Sequence, residues 1–179
     1  MTMQVIQHIE LGSAAANITV SSIPNTFTDL LVLTSFRSSV NSGDWDGLNL
    51  RFNNDSGNNY TARLLYGTGS GAASLSTTEA QIIYHHYAVT NNQTSNTFSN
   101  AAMYVPNYAS SAAKSISTDS VTEHNGTTVI LNISAGLWNN SAAISSITFR
   151  SNSLNNFMAG SSVTVYGITK GSDGITTVS

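Results

Sequence analysis

The histidines are the first residues to test for chemistry, and none has the neighbours that catalysis or metal binding needs. They are His8, His85, His86 and His124. Nucleophilic hydrolysis would need one of them beside a serine and oriented by an acid, and no G-x-S-x-G motif marks such a serine. Adjacent strand residues point to opposite faces, so His85 and His86 are not expected to chelate one metal. We therefore predict no catalytic residues, no cofactor and no metal site.

A glycine-rich segment at residues 67–72, Gly-Thr-Gly-Ser-Gly-Ala, formally matches the dinucleotide-binding pattern G-x-G-x-x-A. In that fold a long amphipathic helix follows the glycines, and an acidic residue lies about twenty positions further on. Here residues 74–78 are polar except for Leu75, and residues 84–89 contain no acid. The segment is better explained as the loop of a β-hairpin.

Two sets of polar and aromatic residues could bind a ligand. Residues 53–58, Asn-Asn-Asp-Ser-Gly-Asn, loosely resemble a calcium loop, but Asp55 is their one carboxylate where calcium sites usually have several. We expect a turn there, with calcium as the alternative. Sugar sites pair aromatic rings with Asn and Asp, and the candidates are Trp45 with Asp44 and Asp46, Tyr84 with Tyr87, and Trp138 with Asn139 and Asn140. Packing of Trp138 into the core is the alternative.

The composition excludes further classes of protein, namely those that bind nucleic acid or span a membrane with a helix. Only 8% of the 179 residues are charged, against about 25% in an average soluble domain, and the net charge is −3. The six basic residues are spread along the chain, so the concentrated positive surface that nucleic acid requires is not expected. The chain has no cysteine, and no apolar run is long enough for a membrane helix. We predict a soluble protein without nucleic-acid or membrane partners.

Short runs of alternating apolar residues, separated by turn-forming residues, predict an all-β fold. The candidate strands are residues 3–11, 18–20, 30–37, 48–52, 60–66, 81–89, 97–105, 115–123, 128–133, 144–150 and 162–169. We expect about 8–10 strands from these eleven candidates, and that many short strands with turns between them are typical of an antiparallel sandwich or barrel. We expect residues 48–52 and 60–66 to form a hairpin. Residues 72–81 are expected to hold at most one helical turn.

The domain organisation predicted from the sequence is simple. No repeat and no shift in composition marks a boundary, so residues 1–170 are predicted to form a single β-sandwich domain. Residues 171–179 are predicted to be a C-terminal extension.

An ordered set of short strings along the chain resembles a family of small virion proteins of tailed bacteriophages. The strings are Ser22-Ile23-Pro24, Phe27-Thr28-Asp29-Leu30, Arg51-Phe52-Asn53-Asn54-Asp55, Asn59-Tyr60, Tyr66-Gly67, Gly69-Ser70, Pro106-Asn107-Tyr108, Leu137-Trp138-Asn139, Ile144-Ser145-Ser146-Ile147, Gly160-Ser161 and Val165-Tyr166-Gly167-Ile168. The resemblance runs from about residue 6 to residue 168. It implies a jelly-roll-like β-sandwich located in the virion.

The resemblance also implies a function through surface contact. Such proteins act as capsid cement, or decoration, proteins, often as homotrimers that bind the major capsid protein. The alternative is a tail-fibre or spike domain that recognises a host-surface glycan. The family has no catalytic residues to transfer. Aromatic residues are enriched at the centres of interfaces, so the predicted interface residues are aromatics expected to be exposed on loops, namely Tyr84, Tyr87, Tyr104 and Tyr108.

Overall fold

The computed structural model describes residues 2–170, and within them every side chain except those of residues 83–85. These residues form twelve strands that pair in antiparallel fashion. They are β1 (Thr2–Glu10), β2 (Asn17–Val20), β3 (Asp29–Ser35), β4 (Trp45–Phe52), β5 (Tyr60–Gly67), β6 (Ala72–Glu79), β7 (Ile82–Val89), β8 (Asn100–Val105), β9 (Lys114–Thr122), β10 (Ile130–Trp138), β11 (Ile147–Ser151) and β12 (Ser162–Thr169). The prediction of an all-β antiparallel sandwich is confirmed.

The strands form two sheets of unequal width. The large sheet has eight strands in the order β1-β12-β3-β8-β9-β10-β5-β6, and the small sheet has four in the order β2-β11-β4-β7. Without the pairs β5–β6 and β9–β10, the remaining strands make two groups of four, β1-β12-β3-β8 and β2-β11-β4-β7. From this strand order we infer a jelly-roll connectivity in which β5–β6 and β9–β10 are insertions that widen one sheet.

One hydrophobic core lies between the sheets. The large sheet contributes Val32 and Val165, and the small sheet contributes Leu50 and Phe149, all at most 1% exposed. Their inward positions follow from the two-residue period of a strand, because every second side chain points to the same face. The other face of the large sheet is covered by no described strand.

The predicted hairpin between residues 48–52 and 60–66 is wrong, because β4 and β5 belong to different sheets. The chain turns at Asn53 and Asn54, whose φ angles are +51° and +55°. The Asn53 side chain fixes this turn by accepting a hydrogen bond from the Ser145 backbone N–H at 2.8 Å and donating one to the Ala143 carbonyl at 2.7 Å. Since these partners are distant in sequence, alternation within the two strands could not predict the crossing.

The true hairpin partner of β5 is β6, although the sequence predicts at most one helical turn over residues 72–81. The two strands pair without interruption from Tyr60 with Glu79 to Gly67 with Ala72. The glycine-rich loop closes this hairpin, as predicted, with Gly69 at a φ of +82°. The side chains of β6 are mostly exposed, so its polar sequence carries little alternation from which to predict a strand. The predicted extension at residues 171–179 lies outside the described residues.

Candidate functional site

Two of the four predicted interface tyrosines are buried, so the prediction that they are exposed is wrong. Tyr87 lies on β7 with 6% of its surface exposed, and its ring meets that of Trp45 edge to face at 6.4 Å. Tyr108 is fully buried, and its hydroxyl donates a hydrogen bond to the Pro24 carbonyl. Both rings fill space inside the chain and are not available to a partner.

Tyr104 is the predicted interface residue that does lie on the surface. It projects from β8 on the uncovered face of the large sheet and is 40% exposed. Its hydroxyl donates a hydrogen bond to Asp29 Oδ2 at 2.9 Å. This hydrogen bond, followed by burial and the carboxylate charge, raises the pKa of Tyr104. The side chain of Tyr84 lies outside the described residues.

The predicted sugar platforms are largely used to hold the fold together. Trp138 is 1% exposed and packs against Phe52 and Tyr60, which confirms the alternative that it belongs to the core. Asp46 is 3% exposed, so it cannot present its carboxylate beside Trp45 to a sugar. Trp45 itself is half-buried.

The loop with calcium-like spacing is organised around Asp55 as a hydrogen-bonded turn. Its carboxylate accepts hydrogen bonds from Gly57 N at 2.8 Å, Asn59 Nδ2 at 2.8 Å, Trp138 Nε1 at 2.8 Å and Asn140 Nδ2 at 3.2 Å. These four donors occupy the lone pairs of the Asp55 carboxylate, which a bound cation would also need. The pKa of Asp55 is lowered to about 2. The hydrogen bond from Gly57 N–H is the largest cause, and the hydrogen bond from Trp138 is the next largest that lowers it.

We expect Asp55→Asn to lower the free energy of unfolding at pH 7 by about 1 kcal/mol, allowing for solvent screening of this partly exposed group. A carboxylate with a depressed pKa stabilises the fold above about pH 4 and loses this contribution as the pH falls towards 2. The difference between wild type and variant should therefore disappear over that range in urea unfolding. The control is Asp44→Asn, because among the described residues the Asp44 carboxylate accepts one side-chain hydrogen bond, from Gln93 Nε2 at 3.0 Å. An undiminished difference at pH 2 would contradict this role.

The histidines do not assemble into a metal centre in the part of the chain that the structure describes. No three His, Cys, Asp or Glu side chains there are placed to hold a metal ion. His86 is buried, stacks on Phe36 at 5.1 Å and lies 3.2 Å from the Thr34 hydroxyl. The side chain of His85 lies outside the described residues.

The most distinctive surface is the uncovered face of the large sheet, here called the outer face. Two groups of apolar side chains lie on it, separated by Ser117 and Asp119 of β9. The β3 patch consists of Val5, Leu31, Leu33, Ala102 and Tyr104, and the β10 patch of Leu65, Leu131, Ile133 and Ala135. Exposed apolar groups this close together mark interaction sites in soluble proteins.

Strand β10 turns its more apolar side outward, and alternation alone would have predicted the opposite. Leu131 and Ile133 are 59% and 64% exposed, whereas Asn132 and Ser134, on the inner face, are 1% and 4% exposed. A strand with one buried face normally places its apolar residues there. The alternation was visible in the sequence as Leu-Asn-Ile-Ser, but only the register with β5 and β9 shows which side faces solvent.

Comparisons of the chain with protein-family models, curated proteins and solved structures gave no match. Within residues 2–170, no helix has the length and hydrophobicity to cross a membrane.

Proposed function

We propose that this chain is a structural protein of a tailed-bacteriophage particle, a capsid cement protein that binds neighbouring major capsid subunits. The outer face carries the proposal, because a broad sheet surface with exposed Leu33, Tyr104 and Ile133 suits contact with another protein better than turnover of a small substrate. The resemblance to virion proteins supports the same role. A site for chemistry is not needed for such a protein.

The chemistry of the outer face favours adhesion without a large desolvation cost. Its polar positions are mainly hydroxyls, such as those of Ser115, Ser117 and Thr164, and these can hydrogen-bond through water. Few charges would have to leave water when a partner covers the surface. Many copies on one particle would add avidity, so each contact can be weak.

We assign the capsid contact to the β3 patch. Tyr104 lies on β8, at the side of the patch next to β9, and its hydroxyl is held by Asp29, which also accepts a hydrogen bond from the Asn107 backbone N–H at 2.8 Å. A ring that is already fixed loses little conformational entropy when it is buried. Leu33 and Val5 extend the same surface towards the edge of the sheet.

The test is a phage that lacks this protein, complemented with variants. We expect particles without it to assemble and adsorb but to lose DNA at lower temperature and under osmotic shock. Leu33→Asp and Val5→Asp should fail to restore stability and should bind the particle at least tenfold more weakly, because a buried carboxylate would be left unpaired.

The control variant is Leu154→Asp, which changes a side chain that is 74% exposed in a turn outside the β3 patch. It should bind and protect like the wild type, and thermal unfolding should show that all three variants fold. Particles that keep full stability without the protein would contradict the cement role. If they also failed to adsorb, the tail-fibre alternative would replace it.

A further inference from the structure

The β10 patch carries one acidic and one basic residue, placed on opposite sides of its apolar centre. In the sheet register, Ile133 pairs with Asp119 on one side and Leu65 on the other, and Ala135 pairs with Arg63. Asp119 and Arg63 therefore flank β10 and are offset by two residues along the strand. With strands about 4.8 Å apart, they lie on the order of 10 Å from each other across the strands.

We propose that the β10 patch binds the β10 patch of a second copy of this chain about a twofold axis. In such a contact each residue pair occurs twice, with the roles of the two copies exchanged. The twofold axis lies in the plane of the contact, runs perpendicular to the line from Asp119 to Arg63 and crosses β10 between Ile133 and Ala135. It brings Asp119 of one copy to Arg63 of the other, and the reverse. The exposed Leu65, Leu131 and Ile133 side chains become buried between the two ion pairs.

The charges of Asp119 and Arg63 favour a second copy of the chain as the partner of this patch. A patch with one sign of charge would repel its own copy, whereas Asp119 and Arg63 make this one self-complementary. Both side chains are exposed, and within residues 2–170 Arg63 donates its hydrogen bonds to the carbonyl oxygens of Ala62 and Thr77 and not to a carboxylate. The outward apolar side of β10 supplies the hydrophobic contact that an ion pair alone lacks.

The size of the patch sets the affinity to expect. Strands β9, β10, β5 and β6 are about 4.8 Å apart and about eight residues long, so they present roughly 400 Å² of sheet per copy. The total of about 800 Å² is below the roughly 1,200–2,000 Å² of standard specific interfaces, so we expect a weak, transient dimer that forms only at high protein concentration. The contact is independent of the virion role proposed above and can be tested on the isolated chain.

The test is the mass of the purified protein in solution, measured by sedimentation from about 1 to 500 µM. We expect it to rise from 18.9 kDa to twice that value as the concentration increases. Asp119→Arg would oppose two arginines and Arg63→Asp two aspartates, so each should weaken the dimer at least roughly tenfold. The double variant restores opposite charges and should recover an affinity within about threefold of the wild type.

Two further variants separate this contact from general effects of charge or hydrophobicity. Glu10→Arg makes the same charge change as Asp119→Arg, on the same face but at the far edge of the sheet, and should leave the dimer intact. Ile133→Ser should weaken it at least tenfold, while Leu154→Ser should not. A chain that stays monomeric, a mass of three chains, or a double variant that fails to recover would each overturn the twofold contact.

Discussion

Replacement of Arg37 by leucine is expected to lower the free energy of unfolding by about 3 kcal/mol, because it removes a charged donor that several backbone carbonyls share. Arg37 is 5% exposed, and its guanidinium binds the backbone of one loop, residues 91–97. It donates hydrogen bonds of 2.8 to 3.1 Å to the carbonyls of Asn91, Gln93, Thr94 and Thr97 and to the Thr97 hydroxyl. Without it, four carbonyls that now share one planar donor would have to find water.

Three measurements identify the cause of this loss. Thermal unfolding should show a melting temperature lower by about 6–12 °C, and a broad-specificity protease should cut the variant faster within residues 91–97. Arg37→Lys keeps the charge but has no planar fork, so it should recover only part of the stability. Arg51→Leu is the matched control, because Arg51 makes one such bond, to the Ala80 carbonyl at 3.1 Å. Equal losses for the two leucine variants would contradict the role of Arg37.

Replacement of Asp46 by alanine is expected to cost about 3 kcal/mol, because it leaves three hydroxyl donors without their acceptor. The Asp46 carboxylate is buried and accepts hydrogen bonds from Ser38 Oγ at 2.7 Å, Ser151 Oγ at 2.6 Å and Ser153 Oγ at 2.8 Å. These serines come from the segment after β3 and from the end of β11, so one side chain joins distant parts of the chain. Urea unfolding measures the loss.

Conservative variants test whether the hydrogen bonds cause the loss at Asp46. Asp46→Asn keeps the size and one acceptor oxygen, so its cost should lie between those of wild type and Asp46→Ala. Ser153→Ala removes only one of the three donors and should cost about 1 kcal/mol. If Asp46→Ala were as stable as the wild type, the carboxylate would not be what holds these segments together.

The sequence predicted the fold class because that property depends on local signals. Alternation over residues such as Leu48, Leu50 and Phe52 marks a half-buried strand wherever the strand is placed. Which strands pair depends on contacts between distant residues, and the crossing after Phe52 depends on hydrogen bonds between Asn53 and residues 90 to 93 positions away. That is why most of the strands, but neither β6 nor the pairing of β5, could be predicted.

The candidate surface was harder to predict than the fold. Composition favoured tyrosines as interface residues, yet Tyr108 is buried by the close approach of Pro24 and Phe27. The sequence does not identify Leu131 and Ile133 as surface residues, since an apolar residue in a strand is ordinarily expected to face the core. Only the pairing of β10 between β5 and β9 shows that these two side chains are exposed.

The position of the protein in an electron cryo-microscopy map of the phage particle tests the virion role most directly. We predict density for this fold in many copies on the capsid, with the outer face against the major capsid subunits and Leu33 and Tyr104 at the contact. Density confined to a few copies at the tail, or capsid-bound density whose outer face points to solvent, would contradict the proposal.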